Sequence, residues 1–289
     1  INRLGDARMK YGTLVRIPNM GDIKEICEAK FSKLVELGLE SCQLVYKPQV
    51  YTDEVAEIIR DCAAKYNIEI SAQFCGFYDS NLLWDTYYDF NLAGINSPIF
   101  GGERIRYLLT AIPFMCKLGV TDMIIHAGFV PNNPFSPEYA KMLSCVRLLG
   151  QRLKEKGLNL LFETGGESPI TLVRLIQDSG LDNLYVNLDT ANLIMYGYGN
   201  PVDAMYTFGK YVRNVHAKDG MPPTNPKKVG QEVTIGTGFV DFDKVIQLLK
   251  EHNYDRFITI EREIVGGDQE KAIDEAILYL KDKVAKYYQ

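Results

Sequence analysis

Four residues set the chemical question in this chain: Glu163, Asp189, His216 and Glu261. Each closes a short apolar, β-rich run, at 158–163, 184–189, 212–216 and 257–261. Glu163 and Asp189 stand 26 residues apart and Asp189 and His216 stand 27 apart; the interval to Glu261 is 45 because a Pro/Gly-rich excursion over 220–240 is inserted there. One strand and its crossover fit each interval, which would deliver the four groups to equivalent heights at strand ends. Three carboxylates and one imidazole form a mainly oxygen-donor set. It suits one divalent ion, Mn²⁺ or Mg²⁺ first and Co²⁺ or Fe²⁺ as softer options, better than a structural Zn²⁺ with its Cys and His preference. Without a cation, three carboxylates at hydrogen-bonding range repel and raise one another's pKa. A single acid at a strand end is commonly a helix cap, so the weight lies in four matched positions and not in any one. Of the three histidines, His126 and His216 both fall at strand ends. His126 reads as a substrate contact or proton shuttle, against a satisfied buried histidine, while His252 ends a helix and faces its dipole.

The elements that must hold these residues alternate strand and helix along the whole chain. Strands are expected at 12–17, 41–46, 68–74 and 122–128 ahead of the four site runs. Helices are expected at 23–37, 52–66, 103–118, 137–156, 169–178, 201–208, 242–252 and 268–286. Gly38 stops the first helix, Thr52 caps the second, and Ser168 with Pro169 begins the fifth. Eight strand–helix units with no linker or second composition give an α/β fold, a single-domain (β/α)8 barrel over residues 1–289; an open doubly wound sheet has similar crossovers but not this count. In a barrel all strands run one way, so their C-terminal ends share one mouth. The rhythm breaks at 76–102, which carries Phe77, Tyr78, Trp84, Tyr87, Tyr88, Phe90 and Phe100. Such a connection reads as a lid or subunit contact, or as a short helix over the mouth, with Trp84 toward substrate. Gly236 and Gly238 follow no strand that would make a dinucleotide fingerprint, so they read as a tight turn shaping the mouth.

Composition narrows the function classes. With 46% hydrophobic and 24% charged residues, the chain is an ordinary globular one. A net charge of −5 argues against nucleic acid as partner, because phosphate backbones demand clustered Lys and Arg. No apolar run approaches the roughly 20 residues that span a bilayer, and no charged-then-apolar leader opens the sequence, so no membrane partner and a cytoplasmic location are expected. The six cysteines, at 27, 42, 62, 75, 116 and 145, form no C-x-x-C pair and sit in apolar patterns. They read as small buried hydrophobes in a reducing compartment.

The segments His126-Ala127-Gly128, Phe162-Glu163-Thr164-Gly165, Leu188-Asp189-Thr190-Ala191-Asn192, Val215-His216-Ala217-Lys218-Asp219, 235–242 and Ile260-Glu261 carry a resemblance over nearly the full length. In them the chain resembles the xylose-isomerase-like TIM barrels, which include sugar-phosphate isomerases and epimerases, ketose 3-epimerases, hydroxypyruvate isomerase and inosose dehydratase. The resemblance implies one divalent metal bound by Glu163, Asp189, His216 and Glu261, a small sugar or sugar phosphate as substrate, and a homo-oligomer. It also implies that Glu163 and Glu261 are acid and base on opposite faces of a cis-enediolate. Return of the proton to the same carbon from the other face is epimerisation; return to the neighbouring carbon is isomerisation. Two departures bear on the substrate. Ketose 3-epimerases commonly carry a histidine three residues after the strand-six aspartate, where Asn192 stands, and an arginine after the strand-seven histidine, where this chain has Lys218, Lys227 and Lys228. Asn192, Lys218 and Glu167, the last in place of an acid slightly further on, therefore join His126 as expected substrate contacts. Lys227 and Lys228 read as solvated. The alternative reaction is that of a lyase or dehydratase on a keto-polyol or keto-glycoside, expelling a β-substituent from the same enolate. A metal-cluster nuclease would need further histidines and a basic surface. A non-catalytic module with a relic metal site is the remaining class.

Overall fold

Parallel hydrogen-bonded ladders join β1 (Lys10–Val15), β2 (Ser41–Val45), β3 (Glu69–Phe74), β4 (Asp122–Ile125), β5 (Asn159–Glu163), β6 (Leu184–Asp189) and β7 (Val212–Ala217) in a computed structural model of the protein. A small antiparallel pair, β8 (Asp219–Met221) and β9 (Gln231–Val233), follows, and β10 (Phe257–Ile260) then closes the ring by pairing with both β7 and β1. The result is a closed (β/α)8 barrel. The structure describes residues 9–76, 94–264 and 266–288; Trp84 and most of the aromatic segment lie outside the described residues.

The crossovers are α1 (Ile23–Glu36), α2 (Asp53–Lys65), α3 (Gly101–Leu118), α4 (Pro137–Lys154), α5 (Pro169–Ser179), α6 (Asn192–Tyr196), α7 (Pro201–Phe208), α8 (Phe242–Glu251) and α9 (Gln269–Tyr287). Local chemistry sets their starts: Asp22, Thr52, Ser136, Asp241 and Asp268 each accept a backbone N–H of the first turn. Ser168 precedes α5 as expected, but its hydroxyl pairs with Thr171 Oγ1 at 2.8 Å and caps no backbone group. Two elements differ from the sequence reading. The short α6 begins directly after β6 because Asp189 accepts the N–H groups of Ala191 and Asn192. The 220–240 excursion contains the β8–β9 pair. All six cysteines are free, and no helix among the described residues is long and apolar enough to cross a membrane.

Inside the barrel, Val45, Ala72, Phe74, Ile124 and Leu161 form an apolar cluster with Leu14 and Tyr185 beside it. The other half is polar. Asn187, Asn214 and Thr259 each stand two residues before a site residue, on the same strand face, and Gln43 stands two before Val45; all four are fully buried. The main apolar core lies between the barrel and the helices. His252 ends α8 against Gly209, where a Cβ would come within 2.3 Å of the imidazole, so its role is packing.

The barrel floor is closed by Asp122, which is fully buried at the start of β4. Its carboxylate accepts from Arg213 Nε at 2.8 and 3.0 Å, from Arg256 at 3.2 Å and from Asn159 at 2.8 Å. One carboxylate thus ties the starts of β4, β5, β7 and β10 together. At the other end Asp219 holds the 220–240 excursion: it accepts Gly220 N and Val240 N on Oδ1, and Gly236 N and Gly238 N on Oδ2, at 2.9–3.1 Å. Gly236 has a φ of +86°, so the tight turn requires glycine there. Asp122→Ala strands two guanidinium groups that are only partly solvated. We expect it to cost about 2–4 kcal/mol in denaturant unfolding, below the value for a fully buried pair, with divalent-metal affinity unchanged by calorimetry.

Candidate metal centre

The C-terminal ends of β5, β6, β7 and β10 deliver the four residues together. Asp189 and His216 are register partners on β6 and β7, and Glu261 follows the last residue of β10. One donor atom from each of Glu163, Asp189, His216 and Glu261 lies within 4.8 Å of all the others. His216 Nδ1 stands 2.9 Å from Glu163 Oε1 and 3.1 Å from Glu261 Oε2. Two oxygens opposite each other on a Mg²⁺-sized ion sit roughly 4 Å apart, so the spread suits a single small cation. All four groups are buried.

The hydrogen bonding leaves lone pairs to spare. Asp189 Oδ1 accepts Ala191 N at 2.8 Å and Asn192 N at 2.7 Å, while Oδ2 has no hydrogen bond. Glu163 Oε2 has none either. His126 Nε2 at 3.4 Å from Glu163 Oε2, and Lys218 Nζ at 3.1 Å from Asp189 Oδ2, are charge contacts without hydrogen-bond alignment. Buried carboxylate oxygens without a donor are costly, and a bound cation satisfies them. The donor set and the two oxygens without hydrogen bonds fit a divalent metal.

Lys218 is buried with its ammonium 3.0 Å from Glu261, 3.1 Å from Asp189 and 3.2 Å from Glu263. The sequence placed it against substrate; the structure places it against the acids of the centre. Burial alone would raise the Glu261 carboxyl, but Lys218 and His216 outweigh it and hold it well below the usual carboxylate range. Asp189 goes the other way: burial pushes it well above its ordinary value and Glu261 and Glu163 add to this, against Lys218. For His216, burial opposes protonation, yet the Glu163 and Glu261 carboxylates hold the imidazolium well above its ordinary range.

Of the expected substrate contacts, His126, Asn192 and Lys218 neighbour this centre. His126 lies just past β4, edge-on to the Phe74 ring at 6.0 Å. Asn192 is buried at the start of α6 and donates its amide to Thr164 O at 3.1 Å, so it braces the β5–α5 loop. That loop passes close by: Gly165 has a φ of +140°, and a Cβ there would stand 2.6 Å from Asn192 Cβ. Glu167 is buried at its far end, and burial pushes its carboxyl up to about 8 against a hydrogen bond from Gly165. The sequence reading passed over the bracing by two threonines. Thr164 Oγ1 bonds both N and O of Asp189 at 3.0 Å, and Thr190 Oγ1 accepts Lys218 N at 3.0 Å. It also missed Gln43, whose Oε1 is 2.8 Å from His216 Nε2. A glutamine inside the otherwise apolar run Cys42–Val45 was the available signal.

A closed parallel barrel with an acid–imidazole cluster at its C-terminal mouth, the end where sites of this fold lie, defines the class as a (β/α)8 barrel. More narrowly, the chain belongs to the xylose isomerase-like TIM barrel family, whose model matches residues 31–283. It is similar to an inosose dehydratase of Clostridium botulinum, 24% identical over 51% of this chain and 55% of that enzyme, so the match spans about half of the relative's length. A xylose isomerase domain protein from Planctomyces limnophilus superposes with a TM-score of 0.85 at 27% identity, covering 97% of this chain and 98% of that one. A D-allulose 3-epimerase from Methylomonas sp. shares the fold, with a TM-score of 0.70 at 15% identity over 96% and 98% of the two chains.

Glu167 generates a pH prediction. Burial pushes its carboxyl up to about 8 from an ordinary value of 4.5, so the folded chain retains a proton that the unfolded chain releases. Its stabilising contribution is complete below about 4.5 and is lost as the pH rises to about 8, at up to ~1.4 kcal/mol per pH unit. Urea unfolding of Glu167→Gln should show a flatter pH dependence across that window and higher stability than the native protein at its alkaline end.

Proposed function

We propose that the protein is a divalent-metal-dependent isomerase or epimerase of a small sugar or sugar phosphate, acting through a cis-enediolate with Glu163 and Glu261 as the acid–base pair. The observation that carries this is the approach of both glutamates to one His216 nitrogen from different strands, at 2.9 and 3.1 Å. The residues would hold Mn²⁺ or Mg²⁺, with Co²⁺ or Fe²⁺ as alternatives. When bound, that cation supplies a Lewis acid that stabilises negative charge on the sugar's carbonyl oxygen. Glu261, kept ionised by Lys218 and His216, removes the proton from the carbon beside the carbonyl. Glu163 returns a proton to the opposite face of that carbon in epimerisation, with His126 at 3.4 Å as its proton relay. In isomerisation the abstracted proton goes instead to the neighbouring carbon, and the hydroxyl proton moves to the former carbonyl oxygen. General acid–base help of this kind contributes about 10²–10⁴-fold, and positioning by the buried, braced side chains supports the remainder.

A second reading is dehydration of a keto-polyol or keto-glycoside, in keeping with the partial likeness to inosose dehydratase. Glu167, buried in the β5–α5 loop with its carboxyl pushed up to about 8, is a group in the adjoining loop that stays largely protonated near neutrality, the state in which a carboxyl can protonate a departing β-hydroxyl group. Glu261 would take the carbon-bound proton as before, and the hydroxyl would leave as water.

Incubation of the Mn²⁺-loaded protein with a panel of ketoses and keto-polyols in D₂O separates the two. We expect an isomeric sugar carrying deuterium at the exchanged carbon, with Glu163→Gln and Glu261→Gln each reducing the rate by about 10²-fold or more. Loss of water would instead establish the second reading, and absence of both products would overturn the two together.

A further inference from the structure

We infer that Gln43 is a positioning residue of the metal centre: its side-chain carbonyl keeps the proton of His216 on Nε2, leaving Nδ1 as the nitrogen offered to the cation. The inference rests on the metal-binding reading of the four converging residues and adds a fifth, from the far side of the barrel. Gln43 belongs to β2, and the two partners lie 173 and 216 residues further on.

The geometry is specific. His216 Nε2 stands 2.8 Å from Gln43 Oε1, and Gln43 Nε2 donates to Thr259 Oγ1 at 3.1 Å. All three side chains are fully buried, so water cannot replace either bond. Thr259 is the register partner of His216 on β10, which places Gln43's anchor beside the imidazole it orients. The reach from β2 to β10 passes over β1, where the intervening residue is Gly12, in register with both Ser41 and Thr259. Gly12 stands two residues before Leu14 of the inner cluster and contributes no side chain to the barrel interior. A Cβ there would come within 2.4 Å of Ser41 Oγ.

A neutral imidazole has one N–H and one lone pair, and the partner of one nitrogen decides the role of the other. A carbonyl oxygen can only accept, so Nε2 must donate to Gln43. Nδ1, which faces Glu163 and Glu261 at 2.9 and 3.1 Å, is then the nitrogen that gives up its proton and offers its lone pair when a cation binds. The reversed amide, with its NH₂ toward Nε2, would put the proton on Nδ1 and close the cation's seat. Gln43 touches neither the cation nor the substrate; it acts through His216.

The test compares Gln43→Met, which fills the space without accepting or donating, with Gln43→Glu, which retains the acceptor. Both are measured for Mn²⁺ affinity by calorimetry and for the His216 tautomer by ¹⁵N imidazole NMR with diamagnetic Mg²⁺. Gln43→Met should bind Mn²⁺ about 10–100-fold more weakly and lose the single Nε2–H signature, with Gln43→Glu within a few-fold of native. Thr259→Val, which removes the anchor of the amide, should fall between them and serves if Gln43→Met does not fold. If native protein binds Mn²⁺ and the folded variants bind it equally well with an unchanged Nε2–H signal, Gln43 has no positioning role and the metal reading stands. If native protein itself binds no divalent ion, the metal reading fails and this inference with it.

Discussion

Glu163, Asp189 and Glu261 bring three acidic groups to within a few ångströms of one another in a space that water barely reaches. At the effective dielectric of a protein interior, like charges about 4 Å apart repel by roughly 4 kcal/mol per pair, so such a cluster persists only where positive charge is supplied. Two residues of the chain begin to supply it. His216 sits between two of the acids, and the Lys218 ammonium lies within 3.2 Å of Glu261, Asp189 and Glu263. The acids become unlike members: Lys218 and His216 hold Glu261 ionised against its burial, while burial, with Glu261 and Glu163, pushes Asp189 toward its protonated form against the same cations. Converging acids in one mouth thus acquire separate roles from their neighbours alone.

The barrel interior answers the same constraint. Its β2–β5 side is filled by aliphatic and aromatic side chains apart from Gln43, and its β6, β7 and β10 side carries Asn187, Asn214 and Thr259 beneath the centre. A wholly apolar interior would have left the imidazole of His216 with no acceptor on its inner edge. The floor formed by Asp122 and its arginines closes the opposite end with a second buried charge cluster, this one complete within the chain.

Much of this could be read from the sequence because it is periodic. The alternation of strand and helix, and the near-constant spacing of the four site residues, depend on local pattern, and the barrel and the convergence agree with them. What escaped depends on contacts between distant segments. The five-residue α6 starts where a site aspartate accepts the N–H groups of Ala191 and Asn192, and the β8–β9 pair where Asp219 gathers four backbone donors; neither leaves a periodic trace. Gln43 orders a histidine 173 positions away, a relation that no window along the chain can contain. Lys218 was read as facing substrate because its type and position allowed it, and only its burial against the acids showed its first engagement.

Asp219 fastens both roots of the excursion to a single carboxylate: Gly220 at the outgoing end and Gly236, Gly238 and Val240 at the returning end. The stretch between these roots is tied back to the centre as well: Glu232 accepts the N–H of Glu263, two residues past Glu261, at 2.9 Å, and Gly230 donates to Met195 O in α6. A change of length or composition in this rim segment would therefore be transmitted to the backbone two residues beyond Glu261, so the segment and the end of β10 are constrained together.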